Sequence, residues 1–239
     1  MKMLEIYGES SKSLPIKMEG FKLEIDKDFM ITDLGYRVDI SWLKKAGEKY
    51  FISCDLDDYV IEAIPIITAS IPNINMQCFL LPDLVEFEPQ LGMLRFKTFV
   101  GKPIFIEHNN KDVTKAKGVI FDSTITLIKK YGVAKVVILA GVDRTKDPYL
   151  AKKILKNKVN CYSMGALARY YLCSICNGVL GFSVMRTCTC YDTDFTDLRS
   201  YGKVKEGRLH YLIAKEFYFF ETSYVERPAD PSAVSISKV

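Results

Sequence analysis

The stretch KGVIFDSTITLIKKYGVAKVVILAGV, residues 117–142, decides the fold. Two apolar runs flank the polar KKYG, in which Gly132 allows a tight turn. Val, Ile and Thr dominate both runs, and residues branched at Cβ suit a pleated surface better than a helix. Both are apolar enough to be central strands of a sheet.

Working outward, MLRFKTFV (93–100) and KPIFIE (102–107) read as further strands. Between residues 21 and 55, FKLEI, YRVDISWL and KYFISCDL are short alternating runs of the kind a half-buried strand needs. The segment IEAIPIITASIPNINMQCFLLPDL (61–84) holds three prolines. Proline cannot donate to a ladder, so this segment reads as a winding connector or an edge. The division expected from these patterns is an N-terminal lobe, residues 1–90, followed by a second domain, residues 91–239.

One helix is clear. In TKDPYLAKKILKNK, Asp147 can cap, Pro148 suits the first helical position, and Leu150, Ala151, Ile154 and Leu155 form an apolar stripe opposite lysines. A strand carrying Ser163 follows it.

Composition bounds the class. With 239 residues, 49% of them apolar, the chain can bury a full core. It has no run of 18 uncharged apolar residues, and MKMLEIYGESSK lacks the apolar centre of a signal peptide, so neither a membrane span nor export is expected. The net charge of +4 comes without a long basic run, so charge gives no argument for nucleic acid. Five of the seven cysteines fall between residues 161 and 190, which in a reducing compartment favours metal binding or packing over disulfides.

Three groups of residues carry candidate chemistry. Ser163, beside Gly165, is either a small buried serine bonded to backbone or a nucleophile, and a nucleophile needs a base of near-neutral pKa. The chain has two histidines. His108 follows an apolar strand where it opens into the polar turn HNNKD, whereas His210 alternates with apolar residues and reads as a strand residue with a satisfied hydrogen bond. Alternation places Glu221 on one strand face with Phe219 and Ser223. A carboxylate in that aromatic setting needs a partner, or else the face is exposed. If the partner is His108, the carboxylate would orient the imidazole as the third member of a triad does. Cys173-x-x-Cys176 and Cys188-x-Cys190 offer four thiolates, the number a structural zinc takes, although Cys-x-Cys needs a tighter backbone than Cys-x-x-Cys; free buried thiols are the alternative. Cys54 and Cys161 read as packing residues.

FVGKPIFIEHNNKDVTKAKGVI, VDRTKDPYLAKKILKNKVNCYSMGA, CSIC and FFETSYVERPADPSAV, in this order, resemble the tailed-bacteriophage prohead proteases, capsid-maturation serine proteases related to herpesvirus assemblin. The resemblance runs from about residue 94 to the end. It implies an α+β, mainly β fold, with a herpesvirus-protease-like β-barrel core flanked by helices. It also implies a serine endopeptidase with His108, Ser163 and Glu221 as the catalytic residues, needing no cofactor for catalysis. Because a second histidine fills the third role in assemblin-like enzymes, His210 rivals Glu221. Backbone N–H groups near Gly165 or Arg169 would hold the oxyanion. A structural zinc on Cys173, Cys176, Cys188 and Cys190 would brace a knuckle spanning residues 173–190. Lys158 and Ala166 depart from the pattern without removing a reactive group.

The implied partners are phage scaffold or core proteins and the major capsid protein. Self-processing and a homo-oligomer are compatible with this, and neither membrane nor nucleic acid is required. The implied place is the host cytoplasm, inside the assembling prohead. The alternatives are a catalytically inactive protease-fold head or scaffold protein, and a zinc-stabilised binding module.

Overall fold

The structure is a computed structural model that describes residues 4–5, 24–26, 29–31, 37–181, 184–190, 204–205 and 207–238. FKLEI lies in part outside these residues. The protein is mainly β with a few helices. Its principal sheet contains β1 (Tyr59–Thr68), β2 (Pro103–Ile106), β3 (Gly118–Ile128), β4 (Val133–Asp143), β5 (Tyr162–Cys173), β6 (Val179–Leu180), β7 (Leu212–Tyr224) and β8 (Ser237–Lys238). Their order across the sheet is β6-β5-β7-β2-β3-β4-β1-β8. Neighbours are antiparallel except β7 and β2, which run parallel.

The hairpin of β3 and β4 forms as its sequence dictates. A short 3-10 turn, Lys129–Tyr131, ends at Gly132 with φ +62°, a backbone region that glycine enters at little cost. The eight-strand path does not close into a barrel. Its ends, β6 and β8, do not pair with each other, and the C-terminal segment instead reaches from β1 to the start of β5 through β8 and the single bridge Cys161–Val234.

β1 corrects the expectation of a proline-rich connector. It pairs with β4 along its whole length, and Pro65 sits where the register slips between Val136 and Val137, so the missing N–H falls at an irregularity of the ladder. Val60, Ile64 and Ile66 from β1 join Phe99, Ile104, Ile120, Val136, Ile138, Phe217 and Phe219 in one buried cluster, while Tyr59 and Ile61 join a second cluster with Phe105, Val119 and Phe121. A boundary near residue 90 therefore does not divide the core.

Two helices cover the two faces. α1 (Leu43–Tyr50) buries Leu43, Ala46, Gly47 and Tyr50 in the second cluster. That i, i+3, i+4, i+7 spacing is helical, and the helix lies between the strands expected from YRVDISWL and KYFISCDL; of these two stretches Arg37–Asp39 is a strand, and the second runs from the end of α1 through a turn to the 3-10 turn that starts at Leu56. α2 (Pro148–Leu155) begins as expected, with Asp147 accepting from the Leu150 N–H at 2.9 Å, and it buries Leu150, Ala151 and Ile154 against the first cluster. Its Leu155 is exposed. MLRFKTFV is a two-residue strand followed by a 3-10 turn, Arg95–Phe99, in place of a full strand. No helix of the described residues is long and apolar enough to cross a membrane.

Candidate active site

Three neighbouring strands bring the sequence-predicted residues together. In the β5–β7 ladder Ser163 lies opposite Ser223 and Gly165 opposite Glu221, and in the β7–β2 ladder Ser223 lies beside Phe105. β2 then leaves the sheet through a tight turn. Glu107 N donates to Tyr224 O at 2.8 Å, and Asn109 N donates to Ile106 O at 3.0 Å. Glu107 and His108 both have left-handed backbone angles, φ +48° and +53°. Such non-glycine residues cost roughly 1–3 kcal/mol each and persist only where surrounding contacts hold them.

The turn delivers the imidazole to the acid. His108 Nδ1 lies 2.7 Å from Glu221 Oε1. Glu221 is 1% exposed while the His108 side chain is 41% exposed, so the pair joins a buried carboxylate to a ring at the surface. The hydrogen bond to Glu221 raises the His108 pKa above its ordinary value against the opposing effect of burial, and the charges of Glu221 and Glu107 add to the rise. With Nδ1 donating to the carboxylate, Nε2 is the ring nitrogen left for chemistry.

A fault in the ladder aims Glu221. Gly165 pairs with Glu221 but Ala166 pairs with Phe219, so Phe220 is an extra residue on β7. This reverses the alternation. Phe219 faces the core, its ring stacked 4.0 Å from that of Phe99, and Glu221 and Ser223 point the other way. The expected sharing of one face by Phe219 and Glu221 is thus corrected. Gly165 makes room for the result, because a Cβ there would stand 2.4 Å from Glu221 Oε1 and 2.7 Å from Phe220 Cζ.

His108, Ser163, Gly165, Phe220 and Glu221 line one open cavity of about 320 Å3. Its far wall is Asn73, Asn75, Gln77 and Phe79, a polar stretch that sequence reasoning missed by assigning it to a separate lobe. A smaller recess continues past Ser163 and Met164 to Ile66, Ile67 and Ile71. Ser163 is largely buried, and among the described residues its hydroxyl makes no hydrogen bond to either ring nitrogen of His108. Arg169 pairs with Glu216 at 2.8 Å on the exposed surface and does not line the cavity, which leaves Gly165 as the backbone nearer to Ser163.

His210 is elsewhere. It is 3% exposed, with Nε2 3.3 Å from Cys173 Sγ, so it belongs to the thiol cluster and does not contact the His108–Glu221 pair.

The sulfur atoms of Cys173, Cys176, Cys188 and Cys190 all lie within 4.8 Å of one another, a grouping that could hold a metal ion. Tetrahedral zinc with Zn–S near 2.3 Å requires S···S separations of roughly 3.8 Å, and Cys176 and Cys188 stand 3.6 Å apart, so the donor set fits. Backbone N–H groups already point at the sulfurs: Ile175 N donates to Cys173 Sγ at 3.4 Å and Gly178 N to Cys176 Sγ at 3.3 Å. Gly178 is required for the fit, since a Cβ there would come within 2.5 Å of Cys188 Cα. Burial pushes Cys188 up to about 12 and Cys190 up to about 11, whereas the Gly178 N–H and the Cys188 thiol, working against burial, bring Cys176 down to about 6. Of these three thiols Cys176 is the readiest to ionise, and a cation binding the cluster would displace the protons that remain.

Compared with known protein families, curated proteins and solved structures, the chain finds no match.

Proposed function

We propose that the protein is a serine endopeptidase of the prohead-protease kind, acting on scaffold and capsid proteins during phage head maturation. The observation that carries the reading is the His108–Glu221 hydrogen bond, opening onto the same cavity that Ser163 lines. A buried acid, a surface imidazole and a serine on adjacent strands are the parts that acyl transfer requires. The order in which the three occur along the chain is also that of the family which the sequence resembles.

In this reading His108 Nε2 takes the proton of Ser163 Oγ as the oxygen attacks the scissile carbonyl carbon. Glu221 holds the Nδ1–H and stabilises the imidazolium. Collapse of the tetrahedral intermediate breaks the C–N bond, and the same proton passes from Nε2 to the leaving amine. Water, deprotonated by His108, then releases the acyl group and returns the proton to Ser163. The backbone at Gly165 supplies the oxyanion contact, a role suited to a residue with no side chain beside the hydroxyl. Zinc on the four cysteines, the structural metal of this proposal, braces the loop between β5 and β6 and takes no part in the steps.

The test is acylation by a fluorophosphonate probe together with co-expression beside the cognate scaffold and capsid proteins, both read by mass. Labelling confined to Ser163, and cleavage lost in Ser163→Ala and His108→Ala, is expected. Cleavage that persists unchanged in both variants refutes the reading.

The missing Ser163–His108 hydrogen bond among the described residues favours a second reading, an inactive protease-fold head protein. It predicts no labelling and no cleavage by the unaltered chain, with particle assembly still dependent on it.

A further inference from the structure

We infer that Ser223 is a positioning residue that locks the base and the acid of this site together. The inference rests on the proposed function for its catalytic meaning, and on geometry for the rest. Ser223 is fully buried on β7, opposite Ser163. Among the described residues its hydroxyl makes two hydrogen bonds, and both go to the acid–base pair. It donates to Glu221 Oε2 at 2.7 Å and accepts from the backbone N–H of His108 at 3.2 Å.

With the Nδ1–Glu221 contact, these bonds close a ring: imidazole to carboxylate, carboxylate to hydroxyl, hydroxyl to the backbone of the same histidine. One atom thus fixes where the carboxylate sits and where the histidine backbone sits. Each needs fixing. Glu221 follows the extra residue Phe220, where the ladder is irregular, and His108 is the second of two consecutive left-handed residues. Without the hydroxyl, Oε2 is left buried beside His108 with no donor among the described residues, and the turn loses an anchor that a tight ring-to-carboxylate distance depends on.

A purely structural serine would affect folding alone. Here alanine is nearly the same size, so the fold survives while the pair loosens. Misplacement of about 1 Å in a catalytic geometry costs on the order of 10²-fold in rate.

The experiment follows two readouts in the full chain. The first is acylation of Ser163 by a fluorophosphonate probe, separated into its maximal rate and its half-saturating concentration. The second is the titration of His108 by long-range ¹H–¹⁵N NMR, tractable because the chain has two histidines and His108→Ala identifies the signal that matters. For Ser223→Ala we expect a maximal rate lower by about 10²-fold, an unchanged half-saturating concentration, and a His108 pKa falling toward the ordinary value near 6.5. Ser223→Thr, which keeps the hydroxyl, recovers most of both.

Wild-type rate and wild-type titration in Ser223→Ala overturn the inference. If the alanine protein does not fold, Ser223→Thr and Ser223→Cys decide it: the weaker S–H donor must fall below threonine in both readouts, and equality overturns it. If Ser163 is never acylated even in the unaltered chain, the proposed function fails, and the His108 titration alone still judges Ser223.

Discussion

Removing the surface member of the His108–Glu221 pair should harm the fold more than neutralising the buried member. In His108→Ala the carboxylate of Glu221, 1% exposed, loses its Nδ1 donor and, among the described residues, keeps the Ser223 hydroxyl alone. An uncompensated buried charge costs about 3 kcal/mol. In Glu221→Gln the side chain stays nearly isosteric and neutral, and the loss is that of one charge-assisted hydrogen bond, about 1.5 kcal/mol. By the usual scaling for a chain of this size, the first change lowers Tm by roughly 6–12 °C and the second by roughly half as much. The double variant should resemble Glu221→Gln alone, because glutamine leaves no charge to strand, which gives a coupling of about 2–3 kcal/mol between the sites. The assay is urea unfolding of the four proteins at pH 7, with the transition followed by two probes. A His108→Ala protein within about 0.5 kcal/mol of the unaltered chain would refute the reasoning, since that is the range of an ordinary surface substitution.

Because the His108 pKa is raised on folding, the stability that its protonation contributes is complete below the unfolded value near 6.5 and is lost as pH rises through the higher folded value; Glu221→Gln should flatten that part of the stability profile between pH 6 and 8. Gly165→Ala puts a methyl 2.4 Å from Glu221 Oε1, so it should displace the carboxylate, abolish acylation of Ser163 and cost about 1–3 kcal/mol in a denaturation series. Zinc should bind at one per chain and raise Tm, with cobalt substitution giving thiolate charge-transfer absorption; Cys173→Ser and Cys188→Ser, which remove buried sulfurs, should abolish it. Phe219→Ala, which unstacks the ring from Phe99 in the core, should cost about 3–5 kcal/mol by urea unfolding while leaving the His108 titration in place.

What the sequence disclosed follows from how local each signal is. The β3–β4 hairpin and the capped start of α2 are each written in one continuous stretch, in the apolar runs either side of Gly132 and in the Asp147-Pro148 pair. The place of His108 at a strand end was equally local. For Glu221 the strand pattern left a partnered carboxylate and an exposed one equally open, and the shared face with Phe219 on which the first rested is absent. α1 was obscured because LKKAGEKY is short and sits between two stretches that alternate by chance. Phe220 could not be foreseen as an extra residue, since a bulge is a property of two strands in register and only one was in view. The same holds for the Asn73–Phe79 wall of the cavity, which reaches the site because Gln77 and Cys78 pair with Leu212 and Ile213 at the start of β7.

The residue before Ser163 has a consequence of its own. Tyr162 is fully buried, and its hydroxyl meets the carboxylate of Glu62 on β1, which also accepts from Tyr224 at 2.9 Å. Neighbouring side chains on a strand point in opposite directions, so sliding β5 by a single step would swap the two, driving the serine inward and the phenol out to solvent. A phenol tethered to an interior carboxylate makes that slip prohibitive. The orientation of the serine is thus set from behind, by a polar knot on the opposite side of the sheet from the cavity.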